Sequence, residues 1–162
     1  LDTLLSAIKE LSLLEYEIKL KIVTNLINKK NIKYFISNLK KKYLKNIKLE
    51  FVQWNINYGK ILYEEEIIIV PYLEDNLRKV KSLNRITESL NMGKIVITNQ
   101  STITDGLEKY CIIGNFHESI NWLIKNENQG IKISKIGRNW AIRNFNISRI
   151  ANQWQELIRK LS

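Results

Sequence analysis

The sequence contains one cysteine, one histidine and one proline in 162 residues, and these scarcities exclude several kinds of site. A lone cysteine, Cys111, can form neither a disulfide within the chain nor a zinc cluster. Because it lies in the apolar run Tyr110–Ile113, we expect a buried, unreactive thiol. The lone histidine, His117, belongs to no pattern of nucleophile and base, so we expect an ordinary residue at the start of a helix.

Long apolar runs and flexible linkers are also missing from the sequence. No stretch of about 18 apolar residues would span a bilayer, and the first residues resemble neither a signal peptide nor a transit peptide. We therefore expect a cytoplasmic chain, located in part at the inner face of the membrane. A hydrophobic content of 44% suffices for one core, which predicts a single domain over residues 1–162. Helical spacing begins already at Leu1, so we expect this domain to be part of a larger protein.

Acidic residues are few: the chain has 26 Lys and Arg against 16 Asp and Glu, a net charge of +10. Such a charge favours contact with nucleic acid, anionic membranes or phosphorylated ligands. The basic residues are dispersed, however, and no nucleic-acid-reading module is present. We expect peripheral membrane contact or a phosphorylated ligand, and no nucleic acid; a plain solvated lysine surface is the alternative.

Helix-like and strand-like segments alternate along the chain, which predicts an α/β fold with a doubly wound, Rossmann-like parallel sheet in three α/β/α layers. The periodicity predicts helices at Leu1–Leu14, Ile32–Leu44, Lys60–Glu65, Ser82–Asn91, Thr102–Lys109, Phe116–Lys125 and, as one or two helices, Ile131–Leu161. The predicted strands are Glu17–Thr24, Ile47–Trp54, Glu66–Val70, Lys94–Thr98 and Tyr110–Ile113.

Ligands of open parallel sheets bind beyond the carboxyl ends of the strands, and Pro71–Gly93 follows such an end. Its helix places Leu83, Ile86 and Leu90 at core spacing, whereas the opposite side carries the polar set Lys81, Asn84, Arg85 and Glu88. Lys81 or Ser82 would start the helix, where backbone N–H groups and basic side chains favour a phosphate. A solvated face with an Arg85–Glu88 surface pair is the alternative.

Other strand ends supply weaker candidates on the same rim. Trp54 could stack on a nucleobase or close the edge of the sheet, and Thr24 could touch a ligand. The polar loop Asn99–Thr104 could approach a sugar or cap a helix. Trp122, Trp140 and Trp154 are expected to pack in the core or between domains. No set of carboxylates completes a metal site.

The segment KSLNRITESLNMGKIVIT resembles the donor-binding segment in the C-terminal half of GT-B glycosyltransferases. The residues that match that family's pattern, in order, are Pro71, Lys81, Ser82, Asn84, Arg85, Glu88, Leu90 and Gly93. Many retaining members carry a second glutamate eight residues before the position of Glu88, and Val80 stands there. The stereochemical course of transfer is therefore left open.

The resemblance implies one half of a GT-B architecture that binds a nucleotide-activated sugar. Glu88 would bind ribose hydroxyls, Lys81 and Ser82 would hold the diphosphate, and Lys81 would stabilise the leaving group. No metal cofactor is implied, and the acceptor site would lie in an N-terminal half, so this half alone would be inactive. The acceptor would be a polysaccharide, a lipid-linked molecule or a protein. The rival interpretations are a noncatalytic α/β binding or regulatory module and, third, a nucleic-acid-binding domain.

Overall fold

The computed structural model describes residues 2–24, 34, 37, 39, 41–72 and 83–161. Its helices are α1 (Asp2–Leu11), α2 (Tyr58–Glu64), α3 (Asn84–Asn91), α4 (Phe116–Lys125), α5 (Glu127–Phe145) and α6 (Ile147–Leu161), with one 3₁₀ turn at Lys41–Leu44. Its strands are β1 (Ile18–Thr24), β2 (Ile47–Gln53), β3 (Ile67–Val70), β4 (Ile95–Thr98) and β5 (Ile112–Ile113). The mixed α/β class predicted from the alternation is confirmed.

The strands form two parallel sheets. In the first, β1 pairs with β2 from Ile18 opposite Ile47 to Thr24 opposite Gln53. In the second, β4 lies between β3 and β5. The predicted parallel pairing is thus confirmed within each sheet, and the described strands are divided between two sheets.

The strands form where the sequence is apolar and β-branched. The residues of β3 are Ile-Ile-Ile-Val, and Pro71 follows directly, which ends the strand because proline has no N–H to donate. Helix α3 ends as predicted at Gly93, whose positive φ of 75° lets the N–H groups of Gly93 and Lys94 bond back to Leu90 and Ser89.

Apolar residues form two clusters on opposite faces of the sheets. On one face, α1 and α4 pack on both sheets, and the buried members include Ile8, Leu11, Ile22, Ile47, Ile97, Phe116 and Leu123. On the other face, α3 and α5 pack on the second sheet, and the buried members include Val70, Ile86, Leu90, Val96 and Ala141. Neighbouring residues of β4, Val96 and Ile97, enter different clusters, as the alternation of a strand requires.

Several predicted boundaries need correction. Thr102–Lys109 forms turns instead of a helix, because Gly106 has a positive φ of 81° that interrupts helical geometry. Only Ile112–Ile113 of Tyr110–Ile113 pairs as a strand. The C-terminal helices begin at Glu127, four residues before the predicted start. Most of the predicted helix Ile32–Leu44 lies outside the described residues. Within those residues, no helix is long and apolar enough to span a membrane.

Candidate functional site

A cavity of about 940 Å³ is lined by strands of both sheets and by residues that follow the carboxyl ends of β2 and β3. Its walls include β1 and β3, together with α2 and part of α3. The polar and aromatic residues that line the cavity beyond the carboxyl ends of the strands are Trp54, Tyr58, Tyr72, Asn84, Arg85 and Glu88. Four of them, Trp54, Asn84, Arg85 and Glu88, are residues that the sequence analysis selected.

Helix α3 sorts its residues by face as the spacing predicts. Ile86 and Leu90 are fully buried in the core, whereas Asn84 and Arg85 are exposed and Glu88 is half-buried. The three polar residues line the same cavity. The helix begins at Asn84, two residues later than predicted.

Tyr58, at the start of α2, is a site residue that the sequence analysis did not select. Its hydroxyl donates a short hydrogen bond to Oε2 of Glu88. Burial, then the hydrogen bond to Glu88 and the charge of that carboxylate, raise the pKa of Tyr58 to about 12. The phenol therefore stays protonated at neutral pH and keeps donating to Glu88. The available signal was its position: Tyr58 follows the end of β2, on the rim where ligands bind.

Arg85 lies close enough to two tyrosines to affect them electrostatically. Its positive charge lowers the pKa of Tyr58 and of Tyr72, although in both tyrosines burial outweighs this effect and the pKa is raised. Among the described residues Arg85 has no ion-pair partner within 4.0 Å, so the alternative of an Arg85–Glu88 surface pair is not formed. Arg85 lines the cavity, and its guanidinium is thus available to an anion there.

Trp54 stands beside the Tyr58–Glu88 pair. Its ring centroid lies 5.7 Å from that of Tyr58, the planes meet at 35°, and the side chain is 49% exposed. Half of a large aromatic surface is therefore left uncovered next to polar groups. Such a surface can stack on a planar ligand.

The loop that leaves β3 is held by the end of β4. Asn99 Oδ1 accepts from Tyr72 N–H at 2.7 Å, Asn99 Nδ2 donates to Tyr72 C=O at 2.9 Å, and the Thr98 hydroxyl donates to Val70 C=O at 2.8 Å. In the predicted polar loop, Ser101 and Thr104 are buried and bonded to each other. This part of the loop is structural, since it supports the rim without reaching the cavity.

The remaining candidates lie elsewhere. Lys81 and Ser82 lie outside the described residues. Thr24 ends β1, where its carbonyl accepts from Trp54 N–H at 2.8 Å, but it is not among the described residues that line the cavity.

The thiol and the imidazole that were expected to be inert lie away from the cavity. Cys111 is 1% exposed, and burial raises its pKa to about 12, so the expectation of a buried thiol is confirmed. His117 occupies the first turn of α4 and hydrogen-bonds Asn121 at 3.1 Å. No group of three or more His, Cys, Asp or Glu side chains in the described ranges is arranged to hold a metal ion.

The tryptophans other than Trp54 differ in their packing. Trp122 packs against the core that contains α1, and Trp140 stacks on Tyr110 with ring centroids 4.7 Å apart and planes at 16°. Trp154, in α6, is 61% exposed. Trp122 and Trp140 therefore pack inside this chain, as expected. Trp154 does not pack in its core, and its expected contact with another domain stays a prediction.

Comparison with known proteins identifies no family for this chain. Neither the protein-family models nor the curated proteins gave a match to this chain. The residues around the cavity therefore supply the evidence for a function.

Proposed function

We propose that this chain is the donor-binding domain of a glycosyltransferase with two Rossmann-like halves, and that its two sheets belong to one doubly wound, three-layer fold. The ligand is a nucleotide-activated sugar. The observation that carries the proposal is the convergence of Trp54, Tyr58, Arg85 and Glu88 on one cavity at the carboxyl ends of parallel strands. The resemblance of Pro71–Gly93 to the donor-binding segment of GT-B enzymes supports it independently.

Each group has a role in this proposal that suits its chemistry. Tyr58 occupies Oε2 of Glu88 and fixes the carboxylate, which leaves Oε1 to accept from vicinal ribose hydroxyls. The exposed face of Trp54 stacks on the base. Arg85, with Lys81 and Ser82 before the helix, faces the diphosphate, and Asn84 supplies an amide at the same end.

The proposed chemistry depends on charge. When the glycosidic bond to the diphosphate breaks, negative charge grows on the leaving phosphate oxygens. Cations and N–H donors that are already in place stabilise that charge without reorganising. Arg85 is such a cation in the described part of the chain, and Lys81 is the second in the proposal.

The same proposal assigns a covering partner to α6. Its apolar side is formed by Ile147, Ile150, Trp154, Leu157, Ile158 and Leu161. No residue of α6 is buried, and Ile147, Trp154 and Leu161 are 86%, 61% and 80% exposed. We assign this side to the acceptor-binding half, and the basic residues around it to the peripheral membrane contact.

Calorimetric titration of the chain with the diphosphates, the triphosphates and the sugar-diphosphate conjugates of uridine, guanosine and adenosine tests the proposal. We expect one nucleoside series to bind, with the sugar conjugate preferred over the triphosphate. Glu88→Ala should weaken that binding at least tenfold, about 1.4 kcal/mol, because the ribose loses its acceptor.

Glu156→Ala is the matched control, since Glu156 lies on α6, exposed and away from the cavity. It should leave the affinity unchanged, and circular dichroism should show both variants folded. Absence of binding to all three series, or equal losses in both variants, would refute the proposal. A preference for the triphosphate would indicate a general nucleotide-binding module instead.

A further inference from the structure

Tyr58 lines the cavity, and the only proton of its hydroxyl group is already engaged. The hydroxyl donates that proton to Oε2 of Glu88, and neither side chain forms another hydrogen bond to the described residues. Since no buried polar side-chain atom in the described ranges lacks a partner, Oε1 of Glu88 is open to solvent. The pair therefore presents two acceptors to a ligand, the phenolic oxygen and Oε1, and no donor.

Two neighbouring acceptors beside a negative charge select the kind of ligand group that binds there. A phosphate or a carbonyl group would bring a further acceptor towards them, and both acceptors would lose their hydrogen bonds to water without replacement. Two adjacent O–H donors satisfy both acceptors, and the bond to the ionised carboxylate is the stronger of the two. Vicinal hydroxyl groups on one side of a sugar ring are such a pair of donors.

Trp54 and Arg85 flank the pair and indicate which sugar ring meets it. The ring of Trp54 is centred 5.7 Å from that of Tyr58, so a base stacked on Trp54 would bring its ribose to the phenol. Arg85 precedes Glu88 by three residues in α3, and its charge acts on Tyr58. Base, ribose and phosphate would thus meet Trp54, the Tyr58–Glu88 pair and Arg85 in the order in which a nucleotide joins them.

The turn that leads into α2 fixes the backbone of both aromatic residues. Asn55 Oδ1 accepts from Asn57 N–H at 2.8 Å, and Asn55 C=O accepts from Tyr58 N–H at 3.0 Å. At the start of the same turn, Trp54 N–H donates to Thr24 C=O at 2.8 Å. Because these bonds are made without a ligand, the phenol is in place beforehand, and less ordering opposes binding.

We propose that Tyr58 binds the ribose directly: one of the two vicinal hydroxyls donates to its phenolic oxygen, and the neighbouring hydroxyl donates to Oε1 of Glu88. This assignment rests on the proposed function, because it takes the ligand to be a nucleotide. It extends the ribose contact from Oε1 to a second acceptor. The site then selects a ribose over both a 2′-deoxyribose and a 3′-deoxyribose.

Deoxy analogues test the role of Tyr58. The probes are the nucleoside diphosphate of the series that binds, here called the parent, and its 2′-deoxy and 3′-deoxy analogues. In the unaltered chain each analogue should bind about tenfold more weakly than the parent, because one acceptor is left unpaired. Ligand-detected NMR measures the dissociation constants, since it extends to weak, millimolar binding.

Removal of the carboxylate separates the two acceptors. In Glu88→Ala, one analogue should bind as well as the parent, whereas the other should still bind at least about fivefold more weakly, because the phenolic oxygen remains. Adding Tyr58→Phe to Glu88→Ala should abolish this remaining selectivity. No oxygen of Glu88 is left in that double variant to replace the phenol.

Tyr63→Phe, added to Glu88→Ala, is the matched control. Tyr63 lies in the same helix as Tyr58, is 72% exposed and is not among the described residues that line the cavity. This variant should keep the selectivity that remains in Glu88→Ala. Circular dichroism should show every variant folded.

Loss of both selectivities in Glu88→Ala would overturn the proposal, because Tyr58 would then only position the carboxylate. Selectivity that survives Tyr58→Phe, or that Tyr63→Phe removes as well, would also overturn it. In these cases the parent still binds the unaltered chain, and the proposed function stands. If no nucleoside diphosphate binds the unaltered chain, the proposed function fails and the role of Tyr58 fails with it.

Discussion

A phenol and a carboxylate meet at the rim of the cavity, and their contact makes a prediction at the scale of single residues. Burial comes first among the causes that hold the pKa of Tyr58 near 12, followed by its bond to Glu88 and the charge there. Glu88→Gln keeps an acceptor but removes the charge. We expect the pKa of Tyr58 to fall in that variant and to remain above 10, because burial persists. The absorbance at 295 nm, taken as the difference from Tyr58→Phe, measures it.

The raised pKa of Tyr58 also determines how the stability of the fold depends on pH. The native state holds the phenolic proton more tightly than the unfolded chain does, so this contribution is complete below pH 10 and is lost between about pH 10 and 12. Glu118→Gln, on the exposed start of α4, removes an equal charge away from Tyr58 and should leave its titration unchanged. Ionisation of Tyr58 near pH 10 in the unaltered chain would contradict the structure.

The directions of single side chains are predictable from the sequence where their contacts are local. The spacing of α3 was sufficient to place Ile86 and Leu90 inside and Arg85 outside, because a helix fixes those directions within two turns. Tyr58 was not identified, because its bond to Glu88 joins residues 30 positions apart. Only the folding of α2 against α3 brings them together.

At the scale of elements, the packing of α5 on α3 depends on a glycine. A Cβ at Gly137 would lie 2.5 Å from the carbonyl oxygen of Tyr110 and 2.7 Å from Cδ2 of Leu90. The backbone atom cannot turn away, so Gly137→Ala should destabilise the fold by about 1–3 kcal/mol in spite of the better helix propensity of alanine. Urea denaturation followed by circular dichroism measures the change.

Gly59 in α2 is the matched helical control. A Cβ there would meet Cε of Met92 at 3.5 Å, an ordinary contact, so Gly59→Ala should stabilise by about 0.5–1 kcal/mol through the lower entropy of the unfolded chain. Opposite signs for the two variants are the expected result. If both stabilise the chain, the close approach of α5 to Tyr110 is incorrect.

Elements were predictable where a segment's own pattern is strong. β1 to β4 lie within one or two residues of their predicted bounds, since β-branched apolar runs favour strands whatever they pair with. Thr102–Lys109 has helix-forming residues, but the Ser101–Thr104 turn and the left-handed Gly106 prevail. The division into two sheets was not predictable, because no local pattern specifies which strands become neighbours.

The whole molecule combines a large net charge with a partly exposed apolar side on α6. The net charge of +10 keeps copies of the chain apart at low ionic strength. The apolar residues of α6 recur every three or four positions and none is buried. Because contiguous apolar patches promote association, the two features oppose each other, and salt shifts the balance by screening only the charge.

We therefore predict that the chain self-associates increasingly as salt rises, and that Ile150→Ser with Leu157→Ser abolishes this. The double variant should lower the free energy of unfolding by less than a change in the core does, because Ile150 and Leu157 are 39% and 48% exposed and lose only part of their packing. Leu90→Ala, at a fully buried position, should cost about 2–5 kcal/mol. Sedimentation velocity in 50 and 500 mM salt measures the association of the unaltered chain and of the double variant. Between these two conditions the Debye length falls from about 14 Å to about 4 Å. Equal association of the double variant would place the contact elsewhere than α6.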